Sequence, residues 1–139
     1  MVELNWIAII LAALSTMVVG SLWYGPLFGK LWTRLAKVKT DANYTATKAA
    51  LLYATAFLGS LVTAIVLATV TYVMQDFLGG NSLVIALETG VLLWLGFTAA
   101  RIHMHDSFEG RPLKLTFLTV AHELMTISIM ALIIGLLPA

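Results

Sequence analysis

The chain has no cysteine. That removes disulfides, thiolate nucleophiles and cysteine-ligated metals together, and with them any reading of the redox compartment. Charge is also scarce. Only 11% of the 139 residues are Asp, Glu, Lys or Arg, against roughly a quarter in soluble domains. Conversely, 60% are hydrophobic, and the mean hydropathy is +0.96. A chain of this size forms one domain and cannot cover so much apolar surface in water, so lipid is its solvent. Period-2 alternation is absent from the apolar runs, which excludes a membrane β-barrel. No glycine-rich loop precedes a Lys-Ser/Thr pair, no Gly-x-Ser-x-Gly elbow occurs, and His122-Glu123 lacks the second histidine of a zincin. These absences set aside nucleotide hydrolysis, serine-hydrolase chemistry and zinc peptidolysis by motif. The start, Met1-Val2-Glu3, lacks the positive region of a signal peptide, so the first apolar run is read as retained.

Crossing about 30 Å of hydrocarbon takes about 20 mainly apolar helical residues. Four stretches meet this: 4–23, 49–74, 82–102 and 113–137. Backbone polar groups find no partner in lipid, so the expected fold is an all-α integral membrane four-helix bundle, a single domain over 1–139.

Basic residues are distributed unevenly. Lys30, Arg34, Lys37, Lys39 and Lys48 lie between the first and second spans, and Arg101, Arg111 and Lys114 between the third and fourth. The N-terminus, the turn 75–81 and the C-terminus contain none. Lys and Arg are held on the cytoplasmic side during insertion. Both termini are therefore expected outside and both basic segments inside, an arrangement that argues against an antiparallel dimer.

After Pro26, Leu27, Leu31, Leu35 and Val38 recur with helical spacing, while Lys30, Arg34 and Lys37 share another face. This predicts a short basic amphipathic helix over 27–38, lying in the headgroup plane. Trp23, Tyr24, Phe28 and Trp32 cluster here as an interfacial aromatic belt would. The helix is read as a structural anchor, with docking to anionic lipid or a partner as the alternative. Asp41, Asn43 and Thr45 are candidate N-caps for the second span.

Small residues mark packing faces. Ala8, Ala12, Thr16 and Gly20 are each four apart in the first span, as are Ala56, Ser60, Ala64 and Ala68 in the second. Gly96 and Ala100 offer similar surface in the third span, and Ala131 and Gly135 in the fourth. The two stripes fit packing of spans one and two against each other, or against a second copy.

Ionisable groups at membrane depth cost roughly 2.5–3.5 kcal/mol on insertion scales and mark pathways or pairings. Glu88 lies about 9 Å inside the third span, and His122 and Glu123 about 12–13 Å inside the fourth. Thr119 and Thr126 sit one turn either side of the latter pair. A His-Glu neighbour pair among hydroxyls suits a proton or cation relay. Equally, it suits a hydrogen-bonded packing device, and Glu88 suits a residue reaching a wet vestibule. In the stretch 101–112, read as a polar loop, Arg101, His103 and His105 are cytoplasmic-face candidates. His103, His105, Asp106 and Glu109 offer metal-ligand chemistry, but no second spaced pair completes a zinc set, and no metal or other cofactor is expected. Gly110 is read as the turn, and Pro112 as the opening of the fourth span.

Asn5-Trp6, the segment Trp23-Tyr24-Gly25-Pro26-Leu27-Phe28-Gly29-Lys30 with Trp32, and Trp94-Leu95-Gly96-Phe97 make the chain similar to a known group. It resembles the small four-span bacterial membrane proteins of domain-of-unknown-function family 1761. The resemblance implies a bundle in the bacterial envelope, for which the inner membrane is the expected location, and implies no activity or catalytic residue. Three classes of function remain open. The first is an oligomeric transporter or channel for a small solute, ion or proton, using Glu88, His122 or Glu123. The second is a non-catalytic accessory or scaffolding subunit of a membrane complex. The third is a membrane enzyme acting on a lipid-like substrate through Arg101, His103 or His105. Expected partners are membrane lipids, parallel copies of the chain and another membrane protein. Nucleic acid is not expected, because the bilayer interface accounts for the aromatics among the basic residues.

Overall fold

The computed structural model describes residues 2–39 and 42–139, so the Asp41 cap lies outside the described residues. Helix α1, Trp6–Leu22, runs into a widened π-type turn at Trp23–Leu27. Helix α2 covers Gly29–Ala36, α3 Ala46–Leu78, α4 Ser82–Phe108 and α5 Leu113–Leu136. A second widened turn interrupts α4 at Trp94–Ala99. The chain is thus all-α, with four helices long and apolar enough to cross a membrane. No strand occurs among the described residues.

Local chemistry sets the boundaries. The Asn5 side-chain oxygen accepts from the N–H groups of Ile7 and Ala8 at 3.1 and 3.2 Å. Asn81 does the same for Leu83 and Val84 at 3.0 and 3.2 Å, and Thr45 caps α3 through Lys48 N–H at 3.3 Å. Each satisfies donors that a helix start leaves orphaned. Helix α3 stops at Gly79, whose φ of 68° is a conformation that glycine adopts without penalty. Pro112 precedes the first turn of α5. Asn5 also donates from Nδ2 to the carbonyls of Leu137 and Pro138 at 3.2 and 3.4 Å, tying α1 to the end of α5. Asn5→Ala removes both functions. It is expected to lower stability by about 0.5–2 kcal/mol, read as a reduced unfolding midpoint in detergent.

The four long helices pack in ring order. Helix α1 contacts α3 and α5, α4 contacts the same two, and α3 and α5 meet only slightly across the diagonal. The small-residue stripes of the first two spans face each other inside one chain. Ala8, Ala12, Ala64 and Ala68 are buried, and the hydroxyls of Thr16 and Ser60 are hydrogen-bonded at 2.8 Å. Most of the two stripes is therefore used within the protomer, with Ala56 left exposed. Around them Ile9, Leu67 and Met130 are fully enclosed and make the middle of the bundle dry.

Two differences from the sequence-based layout matter for the site. Helix α4 continues to Phe108, so the stretch from Arg101 is helical, and the actual turn is confined to 109–112, with Gly110 at φ 66°. The polar residues from Arg101 read as loop by composition, although the helix continues through them. Helix α3 is also longer than its apolar run, and its first third stands clear of the bundle. Leu51, Leu52, Tyr53 and Leu58 are each about 60% exposed, whereas burial begins near Ala64. The result is a bundle in which α3 parts from its neighbours at the end carrying the basic segments.

Candidate functional site

Helix α5 supplies the polar centre. Its helical period puts Thr119, His122, Glu123 and Thr126 on neighbouring positions of one side. His122 Nδ1 lies 3.2 Å from Glu123 Oε1, and Thr126 Oγ1 lies 3.5 Å from His122 Nε2. With the ring proton on Nδ1, His122 donates to the carboxylate and Nε2 accepts from the threonine hydroxyl. Thr119 donates to the carbonyl of Leu115 at 3.0 Å. The imidazole is largely enclosed, at 12% exposure, while the Glu123 side chain is 39% exposed. The pair therefore has one sheltered member and one that faces open space.

That space is a groove of about 620 Å³ between α1, α5 and the outstanding part of α3, with Tyr24, Tyr53, Ser60, His122 and Glu123 on its walls. A second recess of about 320 Å³, reaching Trp94 and Thr98 of α4, shares Glu123, Thr126, Thr16 and Ser60 with it. Glu123 thus sits where the two spaces join. Toward the termini the groove ends on the dry layer of Ile9, Ala12, Ala13, Ala64, Leu67 and Met130. Beyond that layer lies a separate recess of about 390 Å³ lined by Glu3, Asn5, Thr71, Gln75 and Asp76 among others.

The aromatic residues expected at the bilayer interface are arranged around His122. The Tyr24 ring packs on the imidazole at 4.8 Å between centroids and Trp23 at 5.8 Å. Phe28 backs Trp23 at 4.5 Å, and Trp32 meets Tyr24 edge-on at 5.2 Å. The Tyr24 side chain also lies within interaction range of Thr119 and Glu123. The cause is the turn at Trp23–Leu27. Gly25 takes a non-helical conformation (φ −103°, ψ −107°) immediately before Pro26. The chain bends there, and the ring pair swings over α5. Gly20 lies beside the imidazole, where a Cβ would be in ordinary contact with Nε2 at 3.9 Å.

On α4, Trp94 in the other widened turn donates its indole N–H to the Val120 carbonyl at 3.0 Å, two residues from His122. Both π-type turns therefore flank the same level of α5. Such turns recur at functional sites because they re-aim side chains locally. They coincide with the Trp-Tyr-Gly-Pro and Trp-Leu-Gly-Phe segments.

The remaining sequence candidates lie elsewhere. Glu88 is exposed on α4, away from the groove, and has no ion-pair partner among the described residues. Arg101, His103 and His105 are exposed on the last turns of α4 and do not line the groove. Two residues apart on a helix, the two imidazoles point about 200° apart. Among the described residues no three His, Asp or Glu side chains converge as a metal site would require. Asp106, considered with them as a ligand, is instead buried. It accepts from Thr116 Oγ1 at 2.7 Å, with Arg111 Nε at 3.8 Å, and pins α4 to α5. Asp106→Ala would strand the buried Thr116 hydroxyl. It is expected to cost about 1–3 kcal/mol, measurable as a lower unfolding midpoint with the groove intact.

Helix α2 is amphipathic but not free. Its apolar residues Leu31, Trp32 and Leu35 are half-buried, and the helix contacts α5. Lys30, Arg34 and Lys37 are exposed. Tyr24, Tyr53, Thr16 and Ser60 were not legible as site members from sequence. Tyr24 was read as an interfacial aromatic and Thr16 and Ser60 as packing-stripe positions, and the contacts that bring them to the groove are between distant parts of the chain.

A family profile described as "Protein of unknown function (DUF1761)" matches residues 7–135. No curated protein and no solved structure matches the chain.

Proposed function

This chain belongs to the DUF1761 family, and we propose that it is a proton-linked transporter of the bacterial inner membrane with His122 and Glu123 as its protonation site. One observation carries the reading. A carboxylate and an imidazole 3.2 Å apart line a groove that opens toward the basic segments and ends on a dry layer toward the termini. An imidazole and a carboxylate in hydrogen-bond contact can pass a proton from one to the other. The threonine hydroxyls supply acceptors and donors for the neutral forms. By the distribution of Lys and Arg, the groove opens to the cytoplasm and both termini face out. Passage of a solute requires the dry layer to part, and its alanines at the α1–α3 contact leave little side-chain bulk to move.

Parallel copies complete the reading. Glu88, exposed at membrane depth on α4, is costly against lipid and is better placed at a contact between protomers. The enzyme alternative has less support, because Arg101, His103 and His105 stand outside the groove.

The test is a pH jump applied to proteoliposomes adsorbed on a solid-supported membrane. Proton uptake at Glu123 crosses part of the bilayer and is expected to give a transient current. A current no larger than that of protein-free liposomes would overturn the reading.

A further inference from the structure

We propose that the outer, sideways-open part of the groove between α1 and the outstanding part of α3, short of Ser60 and Glu123, holds one chain of an anionic phospholipid whose headgroup rests on Lys30 and Arg34. These two cations are one turn apart on the exposed face of α2, and neither forms an ion pair with a described residue. Like charges at this spacing repel, so the pair favours an anion between them. Together with Thr33 they line a cleft at the α1–α2 corner. The guanidinium and ammonium groups form a donor set suited to phosphate oxygens, while the Thr33 hydroxyl donates to the Gly29 carbonyl at 2.8 Å.

The corner has a fixed shape. A Cβ at Gly29 would fall 2.6 Å from the Tyr24 carbonyl oxygen, so the tight approach of α2 to the end of α1 depends on glycine there. The cleft and the groove are continuous, because both include Tyr24 and Gly25 on their walls. Helix α1 is 17 residues long, or about 25 Å, which sets α2 near the headgroup level of a bilayer whose far face meets Asn5. From that level the groove leads inward past Met17, Tyr53 and Ala56 and is open sideways, where α3 leaves the bundle. Charge at the headgroup level, an apolar side opening and continuity between them match an amphiphile with an anionic head. A free anion has no use for the second half of the site. The inference stands apart from the proton reading, since lipid retention needs no pH gradient.

Native mass spectrometry tests it. The full chain is released from nanodiscs holding equal phosphatidylglycerol and phosphatidylcholine. Wild type is expected to retain phosphatidylglycerol about five-fold or more over phosphatidylcholine, a ratio that one charge-assisted site supplies. Lys30→Gln with Arg34→Gln, both exposed positions, is expected to lose that preference. Ala56→Trp, which fills the groove and leaves the cations in place, is expected to lose the retained lipid. Inorganic phosphate in millimolar excess is expected to displace nothing. Equal retention of both lipids by wild type, unchanged preference in the double variant, or displacement by phosphate would each overturn the proposal. So would lipid retention in Ala56→Trp equal to wild type.

Discussion

Glu123→Gln is expected to reduce the pH-jump current at least about ten-fold, to the level of protein-free liposomes, because it removes the group that takes up the proton. Glutamine has the shape of the acid and can still accept from His122 Nδ1, now 3.2 Å from Glu123 Oε1, so the fold should survive. His122→Gln is expected to leave a smaller and slower current, since the carboxyl group remains but loses its sheltered neighbour. Glu88→Gln is the control. Glu88 is exposed on α4 and lines neither the groove nor the adjoining recess, so its current should match wild type. Matching currents in wild type and Glu123→Gln would separate the groove from proton chemistry.

Gly135→Val is expected to be the most destabilising single substitution at a helix contact. A Cβ at Gly135 would lie 2.6 Å from the Leu83 Cα and 3.0 Å from the Ala86 Cβ. The first of these is backbone and cannot turn aside. Helices α4 and α5 would have to separate, and in lipid no hydrophobic force draws them back, because close packing supplies the attraction. The nearby Gly90 faces the Ala131 Cβ, where a Cβ would fall 3.2 Å away, so the crossing has no slack to absorb the shift. The expected cost is about 1–3 kcal/mol or more. Gly59→Val is the comparison, since a Cβ there meets nothing within 4 Å. It should change the unfolding midpoint in detergent by much less. Equal midpoints for the two variants would contradict the packing described for α4 and α5.

The spans were legible because apolar runs of the right length have one solution in lipid. The polar side of α5 was legible from helical spacing alone, which groups Thr119, His122, Glu123 and Thr126 without any knowledge of their neighbours. Tyr24 was legible only as an interfacial aromatic. Its position over His122 depends on the bend at Gly25 and on α2 folding back against α5, and both are tertiary. The π-type turns at Trp23–Leu27 and Trp94–Ala99 leave no periodic signature. The end of α4 misled because Arg101 to Asp106 is polar, and hydropathy cannot tell a helix that has left the membrane from a loop. Of the small-residue faces, those of the first two spans were read as packing on each other or on a second copy, and Ala8, Ala12, Ala64 and Ala68 are buried between them, whereas Ala56, Gly96 and Ala100 are exposed. The parting of α3 from the bundle could not be foreseen, since residues 46–56 are apolar enough to be buried and are not.

Accessibility of single cysteines bears most directly on a groove open at one end, because the native chain has none to interfere. In right-side-out and inverted vesicles, Ser60→Cys is expected to react with a membrane-impermeant maleimide from the cytoplasmic side alone. Ala12→Cys, in the dry layer, should react from neither side. Gln75→Cys should react from the outside. Labelling of Ser60→Cys from the outside, or no labelling from either face, would contradict a water-accessible groove at Glu123 that opens inward.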